Sequence, residues 1–169
     1  MKNLTIPLWI FIAVFFLPGI KTANAQDTVV FNYVGDSTQS WTVPCNVDSL
    51  TILMWGAGGG SGYQNFYSGS TKWCGGSGAY MTGIMSSATL PGNVLTISVP
   101  HGGFYTNHGL GGRGGWPGGG NGGTDSNYNE YGGGGGGYAA IAISGNYFAV
   151  VGGGGAGGSA AYGGTSYGG

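Results

Sequence analysis

Charged side chains are scarce in this chain: aspartate, glutamate, lysine and arginine together make up 5% of its residues, against about a quarter in ordinary soluble domains. Beyond residue 25, only Lys72 and Arg113 are cationic, against five carboxylates, which leaves that part of the chain with a net charge of −3. Proteins that bind nucleic acid need a basic patch to displace counterions from phosphates, and anionic lipid surfaces attract clusters of cations. Because only two scattered cations are present, we expect the chain to bind neither nucleic acid nor anionic lipid surfaces.

The sequence also lacks segments with helical periodicity and capping residues, and it lacks recognisable catalytic motifs. It contains neither a phosphate-binding loop with its lysine nor a nucleophile elbow. A glycine-rich turn follows Trp55, as in a dinucleotide-binding fold, but no helix pattern comes after it. We therefore expect an all-β, non-enzymatic protein that uses no cofactor and no metal.

The few side chains that could carry chemistry are weak candidates. His101 and His108 are seven positions apart, a spacing that matches no standard zinc motif, and we interpret them as loop residues. Asp125 and Glu130 could form a glycosidase pair, but two carboxylates in one loop are more often solvated turn residues. Residues 119–125 are a near match to a calcium-binding nonapeptide, with the aspartate one place late and no repeat.

The first 25 residues have the organisation of a secretory signal peptide. Lys2 supplies a positive start, an apolar stretch follows, and Ala23-Asn24-Ala25 provides the small residues of a cleavage site. The apolar stretch is shorter than the roughly 20 residues that a membrane span needs, and an uncleaved anchor is the alternative. We expect cleavage before Gln26, no membrane span after that cleavage, and a secreted, extracellular or cell-surface location.

Cys45 and Cys74 are the only two cysteines. In an oxidising compartment an even pair favours a disulfide, and this one would close a loop of about 30 residues and contribute roughly 3.6 kcal/mol in the chain-entropy model. The alternative is a reactive or metal-binding thiol, although neither cysteine has a nearby histidine or a Cys-x-x-Cys partner. We predict the Cys45–Cys74 disulfide.

Short apolar runs rich in β-branched and aromatic residues predict the strands. They cover residues 29–34, 40–43, 49–55, 79–85, 94–99, 138–143 and 147–151. The segment 144–146 predicts the turn of a hairpin between the last two strands. Residues 50–55 and 94–99 hold the densest apolar side chains, so we expect both to be buried.

Glycine is abundant, with 42 glycines in 169 residues. The glycine runs lie at residues 56–62, 75–78, 109–123, 132–137 and 152–158. Flexible linkers, which are the alternative interpretation, are Gly/Ser tracts without large residues, whereas these runs are interspersed with aromatic and charged side chains. We therefore expect the runs to pack on one another.

The run at residues 109–123 has a period of three, because pairs of glycines separate Leu110, Arg113 and Trp116. An extended left-handed helix has three residues per turn, so it would place these three side chains on one exposed or interfacial edge. We predict one continuous glycine helix here, packed against other runs. A Cβ at Gly112 would then hold the neighbouring backbones apart, whereas Arg113 would point away from the bundle.

Several segments resemble a known extracellular glycine-rich domain of secreted bacterial surface proteins. The segments are residues 31–33, 41–44, 50–60, 78–83, 90–99 and 149–155. The chain is also similar to the glycine-rich region of receptors of the anaplastic lymphoma kinase type. The resemblance implies an antiparallel, jelly-roll-like β-sandwich with inserted, bundled polyglycine II helices. We accordingly divide the chain into a signal peptide (1–25), a glycine-rich β domain (26–158) and a glycine-rich tail (159–169). We expect the tail to continue in a longer parent protein.

Aromatic residues make up 14% of the chain, and many lie between the predicted strands. Exposed rings offer stacking faces for sugars or anchors for protein partners, and the alternative is that they pack over the glycine helices. The candidate binding residues are Tyr63, Trp73, Tyr105, Trp116 and Tyr131. We expect a structural or adhesive module that could also self-associate. The alternative is a recognition module that binds a surface glycan or an extracellular protein through these aromatic residues.

Overall fold

The computed structural model describes residues 27–66, 69–86, 90–105, 110–125 and 130–159. The chain divides into two compact units, Met1–Val30 and Phe31–Gly169. Residues 27–30 are the described part of the first unit, and they form no strand. The predicted signal peptide and residues 160–169 of the predicted tail lie outside the described residues, as do His108 and Gly109.

The described part of the chain is all-β and contains ten strands and no helix. The strands are β1 (Gln39–Thr42), β2 (Ser49–Trp55), β3 (Gly62–Phe66), β4 (Gly69–Trp73), β5 (Tyr80–Ser86), β6 (Val94–Ser98), β7 (Thr124–Asp125), β8 (Glu130–Tyr131), β9 (Ala139–Ile143) and β10 (Asn146–Val151). Within these described ranges, no helix has the length and apolar character needed to cross a bilayer.

The strands form three sheets, and every pairing is antiparallel. The first sheet has the order β1-β6-β9-β10, the second pairs β2 with β5, and the third has the order β4-β3-β8-β7. In the first sheet, β1 lies beside β6 rather than beside its neighbour in the sequence. The second and third sheets are therefore inserted, in part, into the connection between two strands of the first.

The first and second sheets share one hydrophobic core. Val43 and Leu90 are fully buried in it. Leu95 and Ile97 of β6 enter the core from the first sheet, and Met54 of β2 enters it from the second. Burying an aliphatic side chain of this size contributes about 1.5–3 kcal/mol, so this core is the main apolar contribution to the stability of the β part of the domain.

The two strands that we expected to be buried are buried only in part. On β6, Leu95 and Ile97 are buried but Val94 is exposed, and on β2, Met54 is buried while Leu53 and Trp55 are exposed. Successive side chains of a strand point to opposite faces, so each of these strands turns only one set of side chains towards the shared core. The prediction that residues 50–55 and 94–99 are buried is therefore wrong for the exposed side chains of Leu53, Trp55 and Val94.

Six of the predicted strands are confirmed to within one residue at each end: β1, β2, β5, β6, β9 and β10. The predicted strand at residues 29–34 is wrong, since these residues pair with no strand in the described ranges, and the Asn32 carbonyl accepts instead from the Gln39 side chain. The third sheet was not predicted, because β3 and β4 contain glycine and polar residues without an apolar pattern.

Backbone hydrogen bonds link the glycine runs at intervals of three residues. Gly154 donates its N–H to the carbonyl of Ala57 at 2.7 Å, and Gly157 donates to Gly60 at 2.9 Å. The same spacing of three residues recurs in six further pairs of segments. The pairs are 57–60 with 134–137, 133–136 with 154–157, 101–104 with 134–137, 101–104 with 113–116, 112–115 with 132–135, and 120–123 with 132–135. A β-ladder repeats every two residues, so these bonds are not strand pairing.

Many of these glycines leave no room for a side chain. A Cβ built on Gly56, Gly59 or Gly62 would overlap carbonyl oxygens of the run at residues 152–158. Real Cβ atoms do not approach backbone so closely, and neither backbone could move without breaking its own hydrogen bonds. The runs thus pack backbone against backbone, and residues 101–104, which the composition did not single out, pack with them.

The prediction of one continuous glycine helix over residues 109–123 is wrong. The described part of this run reverses at residues 116–118, where Gly118 adopts a φ of 76°. Beyond the reversal, the N–H of Gly122 donates to the carbonyl of Gly112 at 2.7 Å, so two short antiparallel segments replace one long segment. Three-residue spacing describes the local backbone, but it carries no information on where the chain turns back.

Two features of the predicted edge are nevertheless confirmed. Leu110 and Arg113 are exposed, and a Cβ on Gly112 would overlap the carbonyl oxygen of Phe104. Trp116 differs from them, since it is half-buried at the reversal.

The predicted hairpin between β9 and β10 is confirmed, with a turn of two residues between the partners Ile143 and Asn146. Ser144 has a φ of 50° and Gly145 a φ of 80°. Two central residues with positive φ are typical of a type I′ turn, which prefers asparagine followed by glycine. Ser144 is therefore a residue in a left-handed conformation that costs free energy.

We expect Ser144→Asn to raise the free energy of unfolding by about 0.5–1 kcal/mol, because asparagine tolerates the left-handed conformation better than serine does. Chemical denaturation followed by circular dichroism measures the change. Gly145→Ala is the matched control and should lower the stability, since its φ disfavours a Cβ even though nothing lies within 4 Å of it. A lower midpoint for Ser144→Asn would contradict the assignment of the turn.

Candidate functional site

The second sheet exposes one of its two faces to solvent. The register pairs Thr51 with Ile84, Leu53 with Thr82, and Trp55 with Tyr80. We call this surface the β2–β5 outer face. It consists of Ser49, Thr51, Leu53, Trp55, Tyr80, Thr82, Ile84 and Ser86. All eight residues are exposed. Successive side chains of a strand point to opposite faces, so the residues between them point towards the core.

An aromatic pair lies at one end of this face. Trp55 and Tyr80 are direct register partners, with ring centroids 5.3 Å apart and planes tilted by 40°. Their exposed fractions are 61% and 54%, and Ile84 on the same face is 79% exposed. Contiguous exposed apolar surface in a soluble protein marks an interaction site, so this face is the strongest candidate site in the described part of the chain.

The polar groups of the face are hydroxyls, and none of its eight side chains is charged. Ser49, Thr51, Thr82 and Ser86 can each donate and accept hydrogen bonds. Sequence reasoning missed the face because β2 shows no simple apolar–polar alternation, and Leu53 and Trp55 resemble the inward residues in character. The exposed face can be recognised only when the pairing of β2 with β5 is known.

Two of the five aromatic residues predicted to bind a partner are buried. Tyr63 and Tyr131 lie opposite each other on β3 and β8, with nearly parallel rings and centroids 6.5 Å apart. Each ring is at most 9% exposed, which leaves little surface for a ligand. These two rings stack on each other within the third sheet, so their burial serves packing rather than an open binding surface.

The other three predicted residues differ in exposure. Trp73 and Trp116 are half-buried, whereas Tyr105 is exposed. The Lys72 ammonium lies 5.4 Å from the centre of the Tyr105 ring, within the range of a cation–π contact. Among the predicted set, Tyr105 is therefore the residue whose ring is open to a partner.

A small cluster of polar side chains surrounds Asp36. The Tyr33 hydroxyl donates to Oδ1 at 2.9 Å, and Arg113 Nη2 lies 3.3 Å from Oδ2. The hydrogen bond to the Asp36 carboxylate, more than burial, raises the pKa of Tyr33 above its usual range, and the nearby Arg113 charge opposes this rise. Arg113 is 72% exposed on its side chain, so water screens this ion pair and its contribution to stability is small.

His101 joins this cluster through contacts that fix its tautomer. Nδ1 lies 2.7 Å from the Gly102 carbonyl oxygen, which can only accept, and the Trp116 N–H donates to Nε2 at 3.1 Å. A neutral ring with its proton on Nδ1 satisfies both contacts. Nε2 also lies 3.2 Å from Asp36 Oδ1, but it cannot donate there while it accepts from Trp116. Through its contact with the Trp116 N–H, His101 anchors the reversal at residues 116–118.

The structure does not contain the predicted Cys45–Cys74 disulfide. Both cysteines are free and exposed. Cys45 lies in the turn after β1, beside the hydrogen bond from Val47 N–H to the Pro44 carbonyl. Cys74 follows β4, a strand of a different sheet, so no strand pairing holds the two segments together.

The remaining candidate residues form no group that could hold a metal. The described ranges contain no cluster of three or more histidine, cysteine, aspartate or glutamate side chains. Asp125 and Glu130 are register partners on β7 and β8, and Glu130 is only 6% exposed. The interpretation of Glu130 as a solvated turn residue is therefore wrong, because pairing with β3 and β7 draws it into the third sheet.

Residues 34–118 match the model of a family described as a glycine-rich domain. The matched segment is 85 of the 169 residues. The chain belongs to the glycine-rich domain family. Within this glycine-rich domain, the match spans β1 to β6 and continues to the reversal at residues 116–118. No curated protein and no solved structure matches the chain.

We expect Asp36→Ala to lower the pKa of Tyr33, because the substitution removes the carboxylate that holds the phenol in its neutral form. Arg113→Ala is the matched control and should raise the pKa further, since the Arg113 charge favours the phenolate. The Tyr33 ring-carbon shift in an NMR pH titration measures both changes.

The raised pKa of Tyr33 also determines how pH changes the free energy of unfolding. The contribution of the neutral phenol is present below the unfolded-state pKa of about 10 and is lost as the pH rises through the higher folded-state value. A Tyr33 pKa that is unchanged by Asp36→Ala would contradict the hydrogen bond as its cause.

Proposed function

We propose that this glycine-rich domain is a non-enzymatic structural or adhesive module that is secreted or held at the cell surface. Its glycine runs form a bundle of polyglycine II helices joined to a jelly-roll-like β-sandwich. The observation that carries the proposal is the three-residue step of the hydrogen bonds between runs, such as those from Gly154 and Gly157 to Ala57 and Gly60. A polyglycine or polyproline II helix has three residues per turn, so one edge of each helix meets the same neighbour once per turn.

Packing side by side is what makes such helices stable. A polyproline II helix has no internal hydrogen bonds, and glycine loses more conformational entropy on ordering than any other residue. Each interhelical hydrogen bond contributes only about 0.5–1.5 kcal/mol net, so many are needed together. The bonds among residues 57–60, 134–137 and 154–157 supply a closed set in which each run binds the other two.

The bundle is continuous with the sheets. Gly56 directly follows the last residue of β2, the run at residues 132–137 lies between β8 and β9, and the run at residues 152–158 follows β10. These three glycine runs therefore begin where a strand ends, so the position of each run is set by the strand before it. A stiff scaffold of this kind is suited to holding a contact surface under load outside the cell, and the predicted signal peptide supports export.

A second candidate function is recognition of a surface glycan or an extracellular protein through loop aromatic residues. The exposure of Tyr105 favours it. Tyr105→Ala should then weaken binding on a glycan array or to extracellular protein, while the thermal midpoint stays unchanged.

Adjacent glycines provide a sharp test of the bundle. A Cβ on Gly119 would overlap the carbonyl oxygen of Gly135, whereas a Cβ on Gly120 would meet nothing within 4 Å. We expect Gly119→Ala to lower the free energy of unfolding by about 1–3 kcal/mol, the range for overpacked interiors. Gly120→Ala should leave the stability unchanged or slightly higher, because alanine reduces the entropy of the unfolded chain. Thermal and chemical denaturation of both variants measure the difference, and equal tolerance of the two would show that the run is a linker.

The same pair tests the function in the producing cells. Disruption of the gene should reduce attachment of these cells to surfaces under flow, and antibody should label the protein on intact cells. Complementation with Gly120→Ala should restore attachment, whereas Gly119→Ala should restore it less, because the scaffold is weakened. Labelling only after permeabilisation, or normal attachment without the gene, would contradict the proposal.

A further inference from the structure

We propose that the β2–β5 outer face binds an extended, uncharged polysaccharide. This inference rests on the proposed adhesive function, for which it names the contact surface and the chemical class of ligand. The site differs from the loop aromatic residues, because it lies on two paired strands and is centred on Trp55 and Tyr80.

The aromatic pair supplies the first part of the argument. A pyranose ring presents C–H groups on its faces and hydroxyls around its edge, so it stacks on aromatic faces while it hydrogen-bonds at its rim. Trp55 and Tyr80 provide two neighbouring ring surfaces, each more than half exposed. Tryptophan and tyrosine are also the residues that most often dominate the affinity of a binding surface.

The polar groups of the face fit the rim of a sugar. Four hydroxyl side chains share the face with the rings, and each can both donate and accept a hydrogen bond. Sugar hydroxyls have the same dual capacity. In two of the four register pairs on the face, Thr51–Ile84 and Leu53–Thr82, a hydroxyl side chain lies opposite an apolar one. A sugar chain lying along the strands would therefore meet both kinds of contact.

The absence of charge from these strands indicates an uncharged ligand. Neither β2 nor β5 contains a charged residue, and Asp48, which directly precedes β2, is exposed. A sulfated or uronic-acid polysaccharide would therefore find no cation on this face and a carboxylate at its end. A neutral chain has no such penalty.

The dimensions of the face suit a narrow, extended ligand. Seven residues at about 3.4 Å each give a strand about 24 Å long, and the two strands are separated by about 4.8 Å. The face is therefore a ribbon that is only two strands wide. A single extended polysaccharide chain can be held along such a ribbon.

The backbone beneath the aromatic pair is firmly held. The N–H of Gly56, the residue after Trp55, donates to the carbonyl of Ala79, the residue before Tyr80, at 2.8 Å. A Cβ on Gly78 would overlap the carbonyl oxygen of Gly56, so the two strands leave the sheet in close contact. A rigid surface loses little conformational entropy when a ligand binds, which offsets the small area of the contact.

Binding of the mature protein to cellohexaose, chitohexaose and soluble neutral β-glucan, measured by calorimetry and affinity electrophoresis, tests the proposal. At least one of these probes should bind. Trp55→Ala and Tyr80→Ala should each weaken that binding by at least about tenfold, as expected for a central aromatic contact. Trp55→Phe should retain most of it, because a stacking face remains. All variants should keep the wild-type thermal midpoint, since both side chains are largely exposed.

Tyr147→Ala is the matched control, because Tyr147 is about as exposed as Tyr80 but lies on β10 of the first sheet. It should leave binding unchanged. Loss of binding with Tyr105→Ala and not with Trp55→Ala would overturn the inference and favour the loop aromatic residues. Binding of heparin or alginate in preference to the neutral probes would also overturn it, as would binding to none of the neutral probes.

A concentration-dependent dimer that Trp55→Ala dissociates, in the absence of glycan binding, would show instead that a second copy covers the face. Each of these outcomes leaves the adhesive scaffold itself in place. The denaturation of the Gly119 and Gly120 variants and the cell-attachment assay test that scaffold independently.

Discussion

Contact between bare backbones is the constraint on which the rest of this structure depends. Two peptide segments can form a hydrogen bond once every three residues only if no Cβ stands between them, and Gly59 against Gly155 shows how little space is left. Composition follows from this geometry. The chain is rich in glycine because its interior outside the sheets is made of peptide groups rather than side chains.

The same constraint determines where side chains can be useful. Within the packed runs, large side chains are found on outward positions, as with Arg113, or beside the point where the chain turns, as with Trp116. Large side chains are otherwise concentrated on the strands. The inward side chains of β2 and β5 form part of the shared core, and the outward side chains are exposed and available to a binding partner. The β2–β5 outer face is thus a consequence of a two-stranded sheet with one covered side.

Local patterns predicted local structure well. Ser49–Trp55 is a strand because it is a run of β-branched, aliphatic and aromatic residues that ends at glycine, and Ser144-Gly145 is a turn between two such runs. The sequence could not show which segments pair over long distances. For that reason the burial of Tyr63 against Tyr131, the reversal at residues 116–118 and the exposure of Trp55 were all missed. Residues 29–34 have a strand-like composition, but they pair with no strand in the described ranges.

One hydrogen bond has a consequence for the order in which the protein is made. Gly154 donates to Ala57, a residue 97 positions earlier in the chain, and the run at residues 132–137 binds both of these segments. The run at residues 56–62 therefore lacks these two partners until residues 132–158 have been synthesised, and closing such long loops is entropically costly and slow. The β2–β5 sheet needs only residues 49–86, so it can form well before the glycine runs close into a bundle.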